Sequence, residues 1–242
     1  MGIIYGKNPV LEAISSGTTI NKIYAQTSNK EIDSVIKEAL KRKIIVANTD
    51  KQKLDKMIDG KNSQGIIASI TDFKYSDVSE IIEYAKSKNE LPFIVILDKI
   101  EDPHNLGAII RSCECMGVHG VIIQKRNACQ ITDTVEKVAA GACSYVKVAR
   151  VTNITESIKE LKKNGLWIYG LDMNGESEVY NTKLEGAIGI VVGNEGSGIS
   201  RLVKENCDAL MKIPMTGKIN SLNASVSVAI TIYEVVRQKN IK

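Results

Sequence analysis

No stretch of this sequence approaches the roughly 18 consecutive apolar residues of a membrane-spanning helix, although 43% of its 242 residues are hydrophobic. The opening MGIIYGKNPVLEAI has no charged lead before an apolar stretch and no small-residue cleavage site, which argues against export. Its GIIYG also lacks the Ser or Thr of a myristoylation signal. The expectation is a cytoplasmic protein with no membrane partner. No CxxC pair occurs; the cysteines are Cys113, Cys115, Cys129, Cys143 and Cys207. Zinc sites usually carry paired spacings, so no metal is expected, and the thiols read as buried and reduced. Histidine is limited to His104 and His119, and there is no internal repeat or low-complexity segment. The net charge of +4 is compatible with nucleic acid but is divided evenly about residue 90, so neither part is a basic arm. Any nucleic-acid surface must come from local clusters such as Lys41-Arg42-Lys43 or Lys125-Arg126, each of which alone is better explained as a solvated face.

What the chain does have is periodicity. Residues 1–72 alternate helix and strand signals: a short helix over Asn8–Ile14 with Pro9 near its start, strands at 20–24, 44–47 and 64–70, and an amphipathic helix over Glu31–Lys41. Thr49 or Asp50 is positioned to cap a further helix ending near Ile58. A small α/β domain is expected there. Residues 73–91 are charged, with one helical pattern around Val78–Lys86, and read as a helical linker. From residue 92 to 242 apolar strands (93–98, 120–123, 145–150, 167–171, 188–192, 210–213) alternate with helices (105–116, 132–140, 154–163, 200–206, 221–238). That alternation predicts a mostly parallel sheet covered on both faces.

In open sheets of this kind ligands bind beyond the carboxyl ends of the strands, and three such ends carry unusual residues. The first is DKIEDPHNLG, entering a helix that bears Arg111; the second is GNEGSG at 193–198; the third is IPMTG at 213–217, followed by SLNAS at 221–225. The glycine loop is neither a Walker loop, since no Lys-Ser/Thr follows, nor a GxGxxG fingerprint. Glu195 in its middle would repel phosphate. A loop bringing backbone groups close to an uncharged ligand edge fits better.

Together DPHNLGAIIRS, IVVGNEGSGIS and IPMTGKINSLNASVSVAI resemble, in this order, the three signature motifs of the SpoU/TrmH RNA 2′-O-ribose methyltransferases, and KVAAGA at 137–142 is also familial. GKNPVLEAI and QGIIA look like the substrate-binding domain of the subgroup that modifies large-subunit ribosomal RNA, so the resemblance spans nearly the whole chain. It implies a SPOUT fold: a parallel α/β sheet whose last segment forms a trefoil knot, behind a small L30e-like α/β domain. It implies S-adenosyl-L-methionine as methyl donor, a homodimer packed through the knotted region, and 23S ribosomal RNA or an assembling large subunit as partner, with a guanosine of the peptidyl-transferase loop as target. By match of position, Gly193, Ile213 and Leu222 are cofactor contacts, and Asn105, Arg111, Glu195, Ser221 and Asn223 are the catalytic set. Asn105 also reads as a helix N-cap, as does Ser221 for the final helix. Leu222, Ala224, Val226, Val228, Ala229 and Ile230 surround most of that helix and predict burial on several sides.

A guanidinium with a pKa above about 12 is a poor base at neutral pH. The role expected of Arg111 is to orient the 2′-hydroxyl and its neighbouring phosphate and to stabilise developing alkoxide. Alternative readings are a tRNA ribose methyltransferase, a drug-resistance methyltransferase of the same architecture, or a catalytically silent RNA-binding or ribosome-assembly protein. A nucleotide-binding dehydrogenase is disfavoured by the absent fingerprint.

Overall fold

The computed structural model describes residues 2–16, 18–70, 73–218 and 221–240. Asp72, at the expected domain limit, and Ile219-Asn220 of the third motif lie outside the described residues. The chain divides into two compact units, Met1–Lys74 and Tyr75–Lys242. Among the described residues no helix is long and apolar enough to cross a membrane.

The first unit contains β1 (Gly2–Tyr5), α1 (Lys7–Ser15), β2 (Ile20–Ala25), α2 (Asp33–Lys41), β3 (Val46–Asn48), α3 (Lys51–Met57) and β4 (Ile66–Ile70). The strands order β1-β4-β2-β3. β4 pairs antiparallel with β1 and β2, and β3 runs parallel to β2. One sheet face packs Ile23, Ala25, Ile66 and Ala68 against Val10 and Ile14 of α1 and Val35 and Ala39 of α2. The other face buries Ile67 with Leu54 of α3. Strand β1 escapes the sequence pattern because only four residues pair and none is fully buried. Of the two cap candidates, Asp50 is the cap: its Oδ1 accepts the Lys53 N–H at 2.9 Å.

In the second unit, α4 (Val78–Ser87) precedes β5 (Phe93–Asp98), α5 (Pro103–Cys115), β6 (Gly120–Gln124), α6 (Asp133–Ala139), β7 (Lys147–Val151) and α7 (Ile154–Lys163). There follow β8 (Trp167–Leu171), the short β9 (Ser177–Glu178), β10 (Ile188–Gly193), α8 (Arg201–Asn206), β11 (Ala209–Lys212) and α9 (Ala224–Asn240). The seven strands are all parallel in the order β7-β6-β5-β10-β8-β11-β9. Every residue of β5 and β10 is buried, as expected of central strands covered on both faces. One face meets α4, α7 and α8 through Ile81, Ile82, Ile158, Leu161 and Val203. On α5 the contacts run to α6 and α9, and α9 packs on β10.

Three expectations change. The helix read as a linker is part of the second unit's core: Val78, Ile81, Ile82 and Ala85 are buried, and Ser76 bridges to Ala149 beside β7. Its charged residues mark only the solvent side. Helix α9 is not buried all round, since Val226, Ile230 and Tyr233 are 44%, 40% and 56% exposed. Among the described residues only the Ala224–Val228–Val235 side has a partner surface within one chain. The thiols are not uniformly buried either: Cys113 is, Cys115 is exposed, and Cys129, Cys143 and Cys207 are intermediate, because Cys113 and Cys115 point to different sides of α5.

Candidate active site

β10 is the strand where sheet order and chain order part. It enters between β5 and β8, which are far apart in sequence. A crevice therefore opens at the carboxyl ends of β10, β8 and β11, the position where doubly wound sheets bind ligands. Gly193 ends β10 level with Asp98 of β5. A Cβ added at Gly193 would stand 2.1 Å from the Gly198 carbonyl carbon, so only glycine lets the loop fold back across the strand end. Asn194 and Gly198 close that loop as an antiparallel bridge. Asn194 Nδ2 ties it to the Lys99 carbonyl at 3.2 Å, and Asp98 Oδ2 accepts the Ser200 N–H at 2.7 Å.

The cleft so formed has a volume of about 740 Å³, within the range of small-molecule sites. Gly193, Ile213 and Leu222, the three expected cofactor contacts, all line it, together with Glu195 and Ser221. Val192, Leu171 and Met215 add apolar wall.

Beside the cleft the loop, α5 and α9 are joined through one carboxylate. Glu195 Oε1 accepts from Asn105 Nδ2 at 2.9 Å, from Asn223 Nδ2 at 2.7 Å and from the Ala224 N–H at 3.1 Å. Asn223 Nδ2 also donates to Asn105 Oδ1 at 2.8 Å. The carboxylate thus faces the first N–H of α9, where negative charge is favoured. Asn223 itself caps α9, its Oδ1 accepting the Ser225 N–H at 2.9 Å. Neither expected cap holds. Asp102 caps α5 by accepting the His104 N–H at 2.8 Å, with Pro103 opening the helix, which leaves the Asn105 side chain for Glu195. Ser221 precedes the cap of α9 and lines the cleft instead.

Arg111 is not in this cluster. It is exposed on α5, and no hydrogen bond or ion pair joins it to another described residue.

The sequence reading missed Asp172 and Lys204. Asp172 follows β8, lines the cleft and is ion-paired with Lys204 of α8. Burial pushes its carboxyl up, but the bonds from Lys204 and from the Asn174 N–H outweigh this and leave it below its usual value. The rule that strand ends carry function would have found Asp172 had it been applied to GLDMNG as well.

The chain matches the SpoU rRNA methylase family over residues 92–233 and the RNA 2′-O ribose methyltransferase substrate-binding family over residues 3–76. A Bacillus subtilis protein assigned to the TrmH family of tRNA/rRNA methyltransferases is 40% identical, over 98% of this chain and 96% of that protein. Among solved structures, the Streptomyces viridochromogenes SpoU methyltransferase AviRb, in complex with its cofactor AdoMet, is 20% identical with a TM-score of 0.63, covering 99% of this chain and 91% of its own. The TrmH/SpoU tRNA-modifying enzyme of A. aeolicus is 28% identical with a TM-score of 0.57, covering 68% of this chain and 85% of its own. A parallel sheet whose strand order departs from chain order at β10, a glycine loop crossing the strand end, and these matches over both units lead to one conclusion: the chain belongs to the SpoU family of RNA 2′-O-ribose methyltransferases.

Proposed function

We propose that this protein methylates a guanosine ribose of 23S ribosomal RNA, in the peptidyl-transferase loop, using S-adenosyl-L-methionine. The observation that carries the reaction is the convergence of the three motifs: cleft wall from 193, 213 and 222, and the Glu195 carboxylate joining Asn105 and Asn223.

The cleft suits the donor. Its apolar wall and backbone edges match an adenine and ribose, and Asp172, Lys204 and Lys212 supply charge of both signs for an amino-acid end. S-adenosyl-L-methionine, when bound, supplies a methyl carbon on a positively charged sulfur. The chain must then fix a ribose 2′-oxygen in line with that carbon and dispose of its proton, and placement alone contributes several kcal/mol. Glu195, held by three donors, acts as a positioning residue that locks the glycine loop to the starts of α5 and α9. Arg111, exposed on α5 and without a partner among the described residues, is available to an RNA phosphate and 2′-oxygen arriving from outside, where it stabilises developing negative charge. A phosphate oxygen of the RNA accepts the proton. A homodimer packed on the exposed side of α9 is part of this reading, since Val226, Ile230 and Tyr233 form an apolar stripe at helical spacing.

The test is transfer of labelled methyl groups to separate ribosomal and transfer RNA pools, followed by mapping of the modified ribose. A mark confined to one 23S guanosine is the expected result. A mark on tRNA would replace the substrate and keep the chemistry; no transfer to either pool, or to an assembling large subunit, would overturn the reaction.

A further inference from the structure

Among the described residues three carboxylates are buried: Asp98, Asp172 and Glu234. Two have a cation beside them, since Asp172 pairs with Lys204 and Glu234 with Arg237. Asp98 differs. It is 0% exposed, and no ion pair joins it to a described residue. Its Oδ1 has no hydrogen-bond partner among them either, while its Oδ2 accepts the Ser200 N–H.

The surroundings make that charge costly. Asp98 follows Ile96 on the same face of β5, because side chains alternate along a strand. Ile96 lies in one buried apolar cluster with Val191, Ile199 and Val203. A carboxylate taken out of water into such a medium is expensive unless an opposite charge compensates it. Anchoring the Ser200 N–H does not require a charge, because a neutral carboxamide oxygen accepts the same bond. The turn explains the oxygen and leaves the charge unexplained.

The place of Asp98 in the sheet supplies a reason for it. Asp98 ends β5 in register with Gly193 of β10, and neighbouring strands lie about 4.8 Å apart. Gly193 and Gly198 line the cleft, and Ser200, which holds the carboxylate, follows Gly198 by two residues. The carboxylate therefore stands behind the glycine loop and closed off from solvent, where salt and water screen it little. The donor proposed for this cleft is itself a cation: its sulfur carries a positive charge that is lost when the methyl group leaves.

We infer that Asp98 is a specificity-determining residue whose uncompensated charge favours the sulfonium of S-adenosyl-L-methionine over the neutral thioether of S-adenosylhomocysteine. Fresh donor is thereby sorted from spent product. The two molecules share their adenosine and their amino-acid end, so contacts to those parts cannot make the distinction. The inference rests on S-adenosyl-L-methionine being the donor and adds what separates it from its product.

D98N keeps an oxygen for the Ser200 N–H and removes the charge. Calorimetric titration of the full chain with S-adenosyl-L-methionine and with S-adenosylhomocysteine gives a ratio of affinities that the folded fraction does not alter. The expected ratio in D98N shifts toward the product by about tenfold or more, the effect of a unit charge across roughly 8 Å of partly shielded protein. E205Q is the control: it removes the same charge from α8 at an exposed position paired with Arg201, and its ratio stays at the wild-type value. A merely structural Asp98 would weaken both ligands alike; that outcome, or an equal shift in E205Q, overturns the inference. Should D98N fail to fold, the wild type still decides. Sinefungin, which carries a protonated amine in place of the sulfonium, is expected to bind it more tightly than S-adenosylhomocysteine, and the reverse order overturns the inference. A wild type that binds neither donor nor product overturns the donor reading itself, whereas one that binds both, with the D98N ratio unchanged, overturns only the role of Asp98.

Discussion

At the level of single residues, Arg111 and Glu195 are expected to fail differently when changed. Arg111 is exposed and has no partner among the described residues, so Arg111→Ala leaves donor binding intact and lowers turnover by about a hundredfold or more, the usual cost of losing one charge-stabilising donor. Calorimetric titration with S-adenosyl-L-methionine beside single-turnover rates separates the two; equal loss of both would sink the role given to Arg111. Glu195→Ala releases Asn105, Asn223 and the Ala224 N–H at once, and both donor affinity and turnover fall. His119 gives a third test. It is buried, its Nδ1 accepts the Phe93 N–H at 3.0 Å, and its Nε2 faces Glu90 at 3.1 Å. Burial, partly opposed by Glu90, holds its pKa below the usual 6.5. The unfolded chain therefore binds this proton first as pH falls, and stability present above pH 6.5 erodes below it. Urea midpoints between pH 7.5 and 5 record that slope, and His119→Gln flattens it.

At the level of elements, the central strands were legible because burial on both faces writes continuous apolar runs, and FIVILD and IGIVVG admit little else. Helix α4 was recognised as a helix yet placed outside the core, since charges such as Glu80, Glu83 and Lys86 conceal an inner row of Val78, Ile81, Ile82 and Ala85. Strand β9, two residues long, offers no period to read. The expected cofactor set is gathered in one cleft, but the capping roles of Asn105 and Ser221 were misread. Pro103 opens α5 two residues before Asn105, and α9 opens three residues after Ser221. Asp172 stands at a strand end that the sequence does mark, but its pairing with Lys204 is visible only in the folded chain. The place of α4 predicts the behaviour of fragments. One spanning 75–242 folds cooperatively, whereas one starting at residue 92 loses four buried side chains and a covered sheet face. Circular dichroism melts of the two check this; equal midpoints would return α4 to the status of a tether.

For the molecule as a whole, the exposed stripe of α9 is the feature a single chain leaves without explanation. If a second copy covers it, Ile230→Glu together with Tyr233→Glu shifts sedimentation from dimer to monomer without unfolding, because neither side chain is buried within the chain. A variant that sediments as wild type, or a wild type that is monomeric, excludes the dimer on this face.

The insertion of β10 also bears on how the chain is made. As synthesis proceeds, β5, β6 and β7 emerge and then β8, but these two parts have no shared edge until Ile188–Gly193 arrives to pair with both. Up to that moment the nascent protein carries two unpaired edges facing an empty slot, each able to recruit the wrong strand. A ribosome stalled before residue 188 would release a sticky half-sheet, whereas a few residues later the same chain can close.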